Sequence, residues 1–411
     1  MSRIGRTSIA ILFGALLLVG SVSIAAQGQR RSVQFVSPGQ SIQAAIDEAD
    51  EGGWVFVRPG VYREAADATN GLNITKAINL IGLSTPRKRV ILDNAGDQRN
   101  GIVVVPNDRT ACMSCHSSLA PPFEVLPGIP RGLKMREPMI RGFSIRGITI
   151  RGFANNGLFT ENVDGFVIDD VESIGNANYG IFPTLSKNGI ITNSRVTGSG
   201  DSGVWVETSQ NILVTRTLTE GNLMGLEVSN SDDVAFIDNE SRNNAIGLGL
   251  FVLPGLFADR PGAKRITVRN NYIHDNNRIN DAPPNTLSGS LPAGLGILHM
   301  GVDDSIITRN RIENNGLGGV AVVDVCVAWA GTDRDCAVNP RITPEFLADQ
   351  DATNNRVARN VLVGNGVNPP PSPFAFAASD LVLLSFGAGN CFANNTFATS
   401  FSIIGGLPPC P

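Results

Sequence analysis

The sequence predicts an all-β fold, a right-handed parallel β-helix (solenoid) with an N-terminal capping helix, from three observations. A Gly followed by a branched aliphatic recurs at Gly157-Leu158, Gly180-Ile181, Gly203-Val204, Gly225-Leu226, Gly247-Leu248, Gly296-Ile297 and Gly319-Val320, with spacings of 23, 23, 22, 22, 49 and 23. A second apolar column, Phe143, Phe166, Ile190, Ile212, Val234, Ile266 and Ile306, opens short β-type runs in phase with the first. Finally, 45 Gly and 37 Asn among 411 residues suit a chain that bends every few residues, since both tolerate left-handed backbone and neither favours helix. A repeat array grows in one direction, so this length need not divide into several compact domains.

In chain order, Met1 to Gln27 begins with Arg3 and Arg6, continues in an apolar run from Ile9 to Val22 and ends in Ser23-Ile24-Ala25-Ala26. That order describes a secretory signal peptide over 1–26. The run is shorter than the ~20 apolar residues that span a membrane comfortably. No later stretch is long and apolar enough, so the mature chain, 27–411, is expected as one extracytoplasmic domain, secreted or periplasmic, monomeric and without a membrane span. With 42% hydrophobic residues it can build a core, which excludes general disorder. A net charge of -4 leaves no basic surplus for nucleic acid. Ser41 to Ala49 reads as a capped amphipathic helix and Gly53 to Tyr62 as strand and turn. Together, about 33–60 should plug the open end of the stack.

Four residues after each start of the second column comes a bend, at Gly147, Asp170, Ser194, Arg216, Asp238, Asn270 and Asn310. About ten residues after the start lies an Asn column, Asn176, Asn222, Asn244, Asn276 and Asn315, whose amides can bond from coil to coil. Three short strands per 22 to 23 residues resembles the pectin-lyase-like superfamily of right-handed β-helix repeat proteins, over nearly the whole mature chain. The resemblance implies lyase, hydrolase, epimerase or adhesin activities, with calcium as a cofactor of the lyases. Those lyases use an Arg or Lys base beside calcium-bound acids, and none of the 28 Arg here matches that role.

A coil needs only 22 residues, so longer segments must leave the stack. Insertions at about 106–139, 253–263 and 324–353 follow the strand of the Gly-aliphatic column, and one at about 277–293 enters it from the other end. They should either wall a groove over that sheet or cover an apolar face. By alternation, Phe159, Phe182, Trp205, Glu227, Gly249 and Leu298 form one outward column and Glu161, Thr184, Glu207, Ser229, Phe251 and Met300 its neighbour. Outward rings beside acids suit a sugar-binding floor, with Phe159, Glu161, Phe182 and Trp205 as binding residues. Glu207 and Glu227, on adjacent coils two residues apart in register, stand roughly 8 Å apart by strand geometry, within the range of an inverting glycosidase pair. The doublets Asp169-Asp170, Asp232-Asp233 and Asp303-Asp304 sit at bends and read as turn residues.

Six Cys in an exported chain suggest disulfides. Cys326 and Cys336 could close the last insertion, and Cys391 and Cys410 could staple the C-terminal end. Cys112-Met113-Ser114-Cys115-His116 matches the attachment pattern of haem c, with zinc binding or a Cys112 to Cys115 disulfide as alternatives. His299 reads as a core residue and His274 as a solvated turn. Three functions follow: a polysaccharide-binding solenoid that cleaves or modifies its ligand as a lyase, hydrolase or epimerase, a non-catalytic surface solenoid for protein contact, and a haem-bearing redox protein. An exposed Trp205 over an acidic floor favours the first, and burial of Trp205 with both glutamates favours the second.

Overall fold

Each coil gives one strand to each of three parallel sheets. Val163–Asp169, Glu172–Ile174 and Ile181–Thr184 make one coil, and Lys187–Thr192 begins the next beside the first strand, with Val167 opposite Ile190. The computed structural model describes residues 32–107, 139–254, 263–284, 286–340 and 342–411. Among these, the first sheet has 12 strands, from Val33–Val36 to Cys391–Ala393, and the second has 10, from Gly60–Tyr62 to Val361–Val363. The third has 11, from Asn70–Ile74 to Ser400–Ser402. The chain is thus the all-β, right-handed parallel β-helix that the repeats predict. The segment 1–26 expected as a signal peptide, Cys112, Cys115 and His116, and most of the first insertion lie outside the described residues.

Leu158, Ile181, Val204, Leu226, Leu248, Ile297, Val320 and Leu381 stack coil upon coil and are fully buried. Each such side chain contributes roughly 1.5–3 kcal/mol of burial before entropy is counted. Except for Leu381, which follows Asp380, each of these residues follows a Gly that is needed for space. A Cβ on Gly180 would stand 2.1 Å from Val196 Cγ1, and one on Gly225 2.1 Å from Ser241 Oγ.

The bends follow the expected column at Gly147, Asp170, Arg216, Asp238 and Asn270, all with positive φ. On two coils the left-handed residue is Asn193 or Arg309, one place before the expected Ser194 or Asn310. Ser194 accepts from Val171 N at 3.2 Å and donates to Thr192 O at 2.9 Å. Asp170, Asp233 and Asp304 have φ of 51, 58 and 51, so the second residue of each doublet is a turn residue, as expected.

Asn222, Asn244, Asn276, Asn315 and Asn365 form a buried ladder in which each Oδ1 accepts from the coil before it, for instance Asn276 Nδ2 to Asn315 Oδ1 at 3.1 Å. A second ladder, Asn239, Asn271, Asn310, Asn360 and Asn395, runs at another corner and explains why Asn310 leaves the bend column. Leaving a rung unpaired costs about 1–3 kcal/mol.

At the N-terminal end the helix Ile42–Glu48 buries Ile42 and Ile46, and Ser41 caps it by accepting from Ala44 N at 3.2 Å. Glu64 completes the cap from outside the helix, taking Ser41 Oγ at 2.9 Å and Ile42 N at 2.6 Å. The strand Val33–Val36 precedes it as the edge of the first sheet, an element the repeat pattern does not reveal. At the far end Cys391 and Cys410 are joined, and Phe392 N donates to Pro408 O at 2.8 Å, so the tail lies along the last coil.

Candidate functional site

The insertions meet the third sheet. Those at 106–139, 253–263 and 324–353 follow its strands Asn100–Val104, Ile246–Phe251 and Gly318–Val323, while that at 277–293 leads into Leu295–Met300. Pairing register places Phe159, Phe182, Trp205, Glu227, Gly249, Leu298, Ala321 and Val382 in one column. Glu161, Thr184, Glu207, Ser229, Phe251, Met300, Val323 and Leu384 form the neighbouring one. The two-residue step between Glu207 and Glu227 is present as expected, since Trp205 pairs with Glu227 and Glu207 with Ser229.

In the C-terminal half of this sheet the expected groove is replaced by packing. Phe251, Leu298, Met300, Val323 and Leu384 join the main core together with Val325, Trp329 and Phe346. The last three lie in the insertion 324–353, on the helices Val325–Trp329 and Pro344–Ala348, where Trp329 and Phe346 stack at 6.3 Å. Asp324 ties the insertion down by accepting from Ala352 N and Phe386 N, both at 2.8 Å, and Cys326 is bonded to Cys336. Here the insertion covers an apolar face.

The N-terminal half keeps a different chemistry. Val103, Val105, Phe159, Phe182 and Trp205, with Tyr179 packed against them, form a cluster separate from the main core. Phe182 stacks on Trp205 at 4.3 Å with planes 9° apart, and Tyr179 lies 4.6 Å from Trp205 and 4.8 Å from Phe182. Trp205 Nε1 donates to Ser229 Oγ at 2.7 Å. The expectation of an exposed floor is corrected: Trp205 is 8% exposed, Glu227 6%, and Glu207 and Glu161 are fully buried. Alternation shows which side of a sheet a residue takes, and it is silent on what lies over that side. Glu207 accepts from Thr184 Oγ1 at 2.5 Å and Thr208 Oγ1 at 3.3 Å.

The structure adds Tyr179, Asp201, Ser202 and Ser288 to the predicted residues. Ser202 Oγ donates to Glu227 Oε2 and lies 3.4 Å from Asp201 Oδ1, so one hydroxyl stands between two carboxyl groups. Ser288, from the insertion 277–293, donates to Asp201 Oδ2 at 2.6 Å. Burial, then the charge of Asp201, pushes the Glu227 carboxyl well above the usual range. Burial also raises Asp201 and the Tyr179 phenol. Counting alternately back from buried Val204 would turn Ser202 inward, yet it reaches outward Glu227, so alternation does not carry through Gly203. That break hid Ser202 and its neighbour in the sequence. A Tyr or Asp-Ser immediately before a column Gly is the signal that could have found them.

The histidines serve the scaffold. His299 is buried as expected, with Nε2 3.1 Å from Asn355 Oδ1 and its pKa lowered by burial to about 4. His274 departs from the solvated turn expected of it. It lies in the strand Tyr272–His274, stacks on Tyr272 at 3.9 Å, and has Asp275 Oδ2 2.6 Å and Glu240 Oε1 3.4 Å from its ring nitrogens. Among the described residues no group of three or more His, Cys, Asp or Glu is placed to hold a metal ion.

A family model described as periplasmic copper-binding protein (NosD) matches residues 141–371. The chain belongs to the NosD family. No curated protein matches this NosD-family chain in sequence. Among solved structures, it is similar to the A-module of a mannuronan C-5 epimerase from Azotobacter vinelandii, at 15% identity over 88% of this chain and 92% of that one, with a TM-score of 0.53. A family 28 exopolygalacturonase of Yersinia enterocolitica matches at 11% identity over 90% and 77%, with a TM-score of 0.54. A surface adhesin of Streptococcus pneumoniae matches at 12% identity over 87% and 86%, with a TM-score of 0.50. These likenesses show the fold. The family's periplasmic description and the two disulfides agree with a place outside the cytoplasm. The described residues do not fit the copper of that description: His274 is held between carboxylates, His299 faces an amide, and Cys326, Cys336, Cys391 and Cys410 are in disulfides. Cys112, Cys115 and His116, soft and imidazole donors that suit copper, lie outside the described residues.

Proposed function

We propose that the protein is an extracytoplasmic solenoid that binds a polysaccharide along the N-terminal half of its third sheet, without cleaving it. The observation that supports this is the cluster of Phe159, Phe182, Trp205 and Tyr179 beside Asp201 and Glu227, set apart from the main core. Tyr179 and Asp201 are only half-buried, so the rim of the cluster offers a ring and a carboxylate to a sugar. Cleavage by Glu207 and Glu227 fits poorly. An inverting pair needs room for a sugar and a water between its carboxyl groups, and Glu207 is sealed while Glu227 is engaged by Ser202. Titration with uronate and neutral polymers, read by Trp205 emission against a Trp205→Phe control for Trp54 and Trp329, tests the reading. Silence across both polymer classes overturns it.

The second reading, a non-catalytic solenoid for protein contact, is favoured by the burial of Trp205, Glu207 and Glu227. It expects no change in Trp205 emission with any glycan.

A further inference from the structure

We infer that the N-terminal end of the first sheet docks on a lipid bilayer bearing anionic headgroups, through the outward face of its first three strands. The site is on a different sheet from the proposed glycan cluster and does not depend on it. Its strands are Val33–Val36, Gly53–Val57 and Ile78–Gly82. Pairing register sets Val33 beside Trp54, and Phe35 beside Phe56 and then Ile81. These five turn outward, because Val36, Val55, Val57 and Leu80, which alternate with them, are buried in the core. Val33 is 51% exposed, Phe35 59% and Leu83, just past the third strand, 41%. Single apolar side chains on a surface need no partner, whereas a contiguous patch of rings and aliphatics marks an interaction site.

The rings are ordered in advance. Phe35 and Phe56 lie 5.4 Å apart with planes 21° apart, and Trp54 and Phe56 lie 5.8 Å apart with planes 10° apart. Seating them at the boundary of headgroups and acyl chains therefore costs little side-chain entropy. Charge decides the partner. Arg58 follows the second strand, and Arg87 and Lys88 stand in the turn after the third; all three are exposed and none is in an ion pair among the described residues. Further along the same sheet, Arg141 and Arg146 are paired with Asp164 and Asp169. Unpaired cations on the rim of an apolar face complement anionic headgroups above an acyl layer. The acids Asp50 and Glu51 precede the second strand and so lie at its other end. A sugar would need free hydrogen-bonding groups beside the rings, and the amide and hydroxyl next to them are engaged. Ser144 Oγ donates to Asn79 Oδ1 at 2.7 Å, and Asn79 Nδ2 reaches Gly52 O and Gly53 O at 3.3 Å.

Vesicle flotation of the exported chain tests the docking, with phosphatidylcholine alone and with phosphatidylglycerol added, every variant carrying the same N-terminus. The wild type should float with the anionic vesicles but not with phosphatidylcholine alone, and added salt should release it by screening the cations. Phe35→Ser should weaken partitioning roughly tenfold, and Arg58→Gln, Arg87→Gln and Lys88→Gln about fivefold each. Brominated acyl chains should quench Trp54, since Trp205 and Trp329 are only 8% and 5% exposed, and Trp54→Phe should abolish the quenching. Thermal unfolding midpoints check that each variant is folded. Absence of flotation with anionic vesicles overturns the docking, as does flotation left undiminished by either Phe35→Ser or the triple Gln change. Binding to a soluble polyuronate through the same residues, in place of vesicles, overturns it in favour of a glycan.

Discussion

The two halves of the third sheet share one register and one side, yet they are built differently. In the C-terminal half the outward columns are apolar, and the insertion 324–353 adds Val325, Trp329 and Phe346 to the core they join. In the N-terminal half the same columns hold rings and carboxyl groups that form a cluster of their own. A solenoid therefore offers each outer face twice, as a surface to be roofed or as a surface that keeps polar chemistry, and the side chain in the column decides. The roofed half should govern stability and the polar half should govern response to pH and ligand.

The largest expected effect lies in the roof. Phe346→Ala should cost about 3–5 kcal/mol in denaturant unfolding, because a buried aromatic leaves a cavity behind. A loss below 1 kcal/mol would break the contrast by showing the insertion to be a loose cover. Next, replacing both Cys326 and Cys336 by Ser should cost about 2–4 kcal/mol, read as a lower unfolding midpoint, with glycan titration unaffected.

The polar half is probed by pH. Burial raises Glu227 and Asp201 in the folded protein, so the folded chain binds the proton more tightly than the unfolded one. Their contribution to stability is greatest at low pH and declines as pH rises from the ordinary carboxylate range, near ~4.3, through the raised value. Glu227→Gln should flatten that decline in a series of unfolding midpoints, whereas Phe346→Ala should leave its slope intact. The smallest effect is expected of Trp205→Phe, about 1 kcal/mol for the lost bond to Ser229.

The repeat made the scaffold legible. Gly180-Ile181 and its successors give the coil length, and Asn244 and Asn276 give a ladder, because each coil repeats the same steric and hydrogen-bond problem. The disulfides Cys326 to Cys336 and Cys391 to Cys410 were legible from proximity within one insertion and one terminus. The site was legible only in part. Trp205 and Glu227 fall in the column that alternation assigns, while Asp201 and Ser288 meet across 87 residues of sequence with no shared repeat position.

By itself, the sequence determined the coil, the sheet carrying the insertions and the outward identity of Trp205, Glu207 and Glu227, because these depend on periods of two and of 22 to 23 residues. The tertiary structure decided whether those outward residues meet water. Burial is set by segments that leave the repeat, and the fold of a non-repeating segment is fixed by what it lands on.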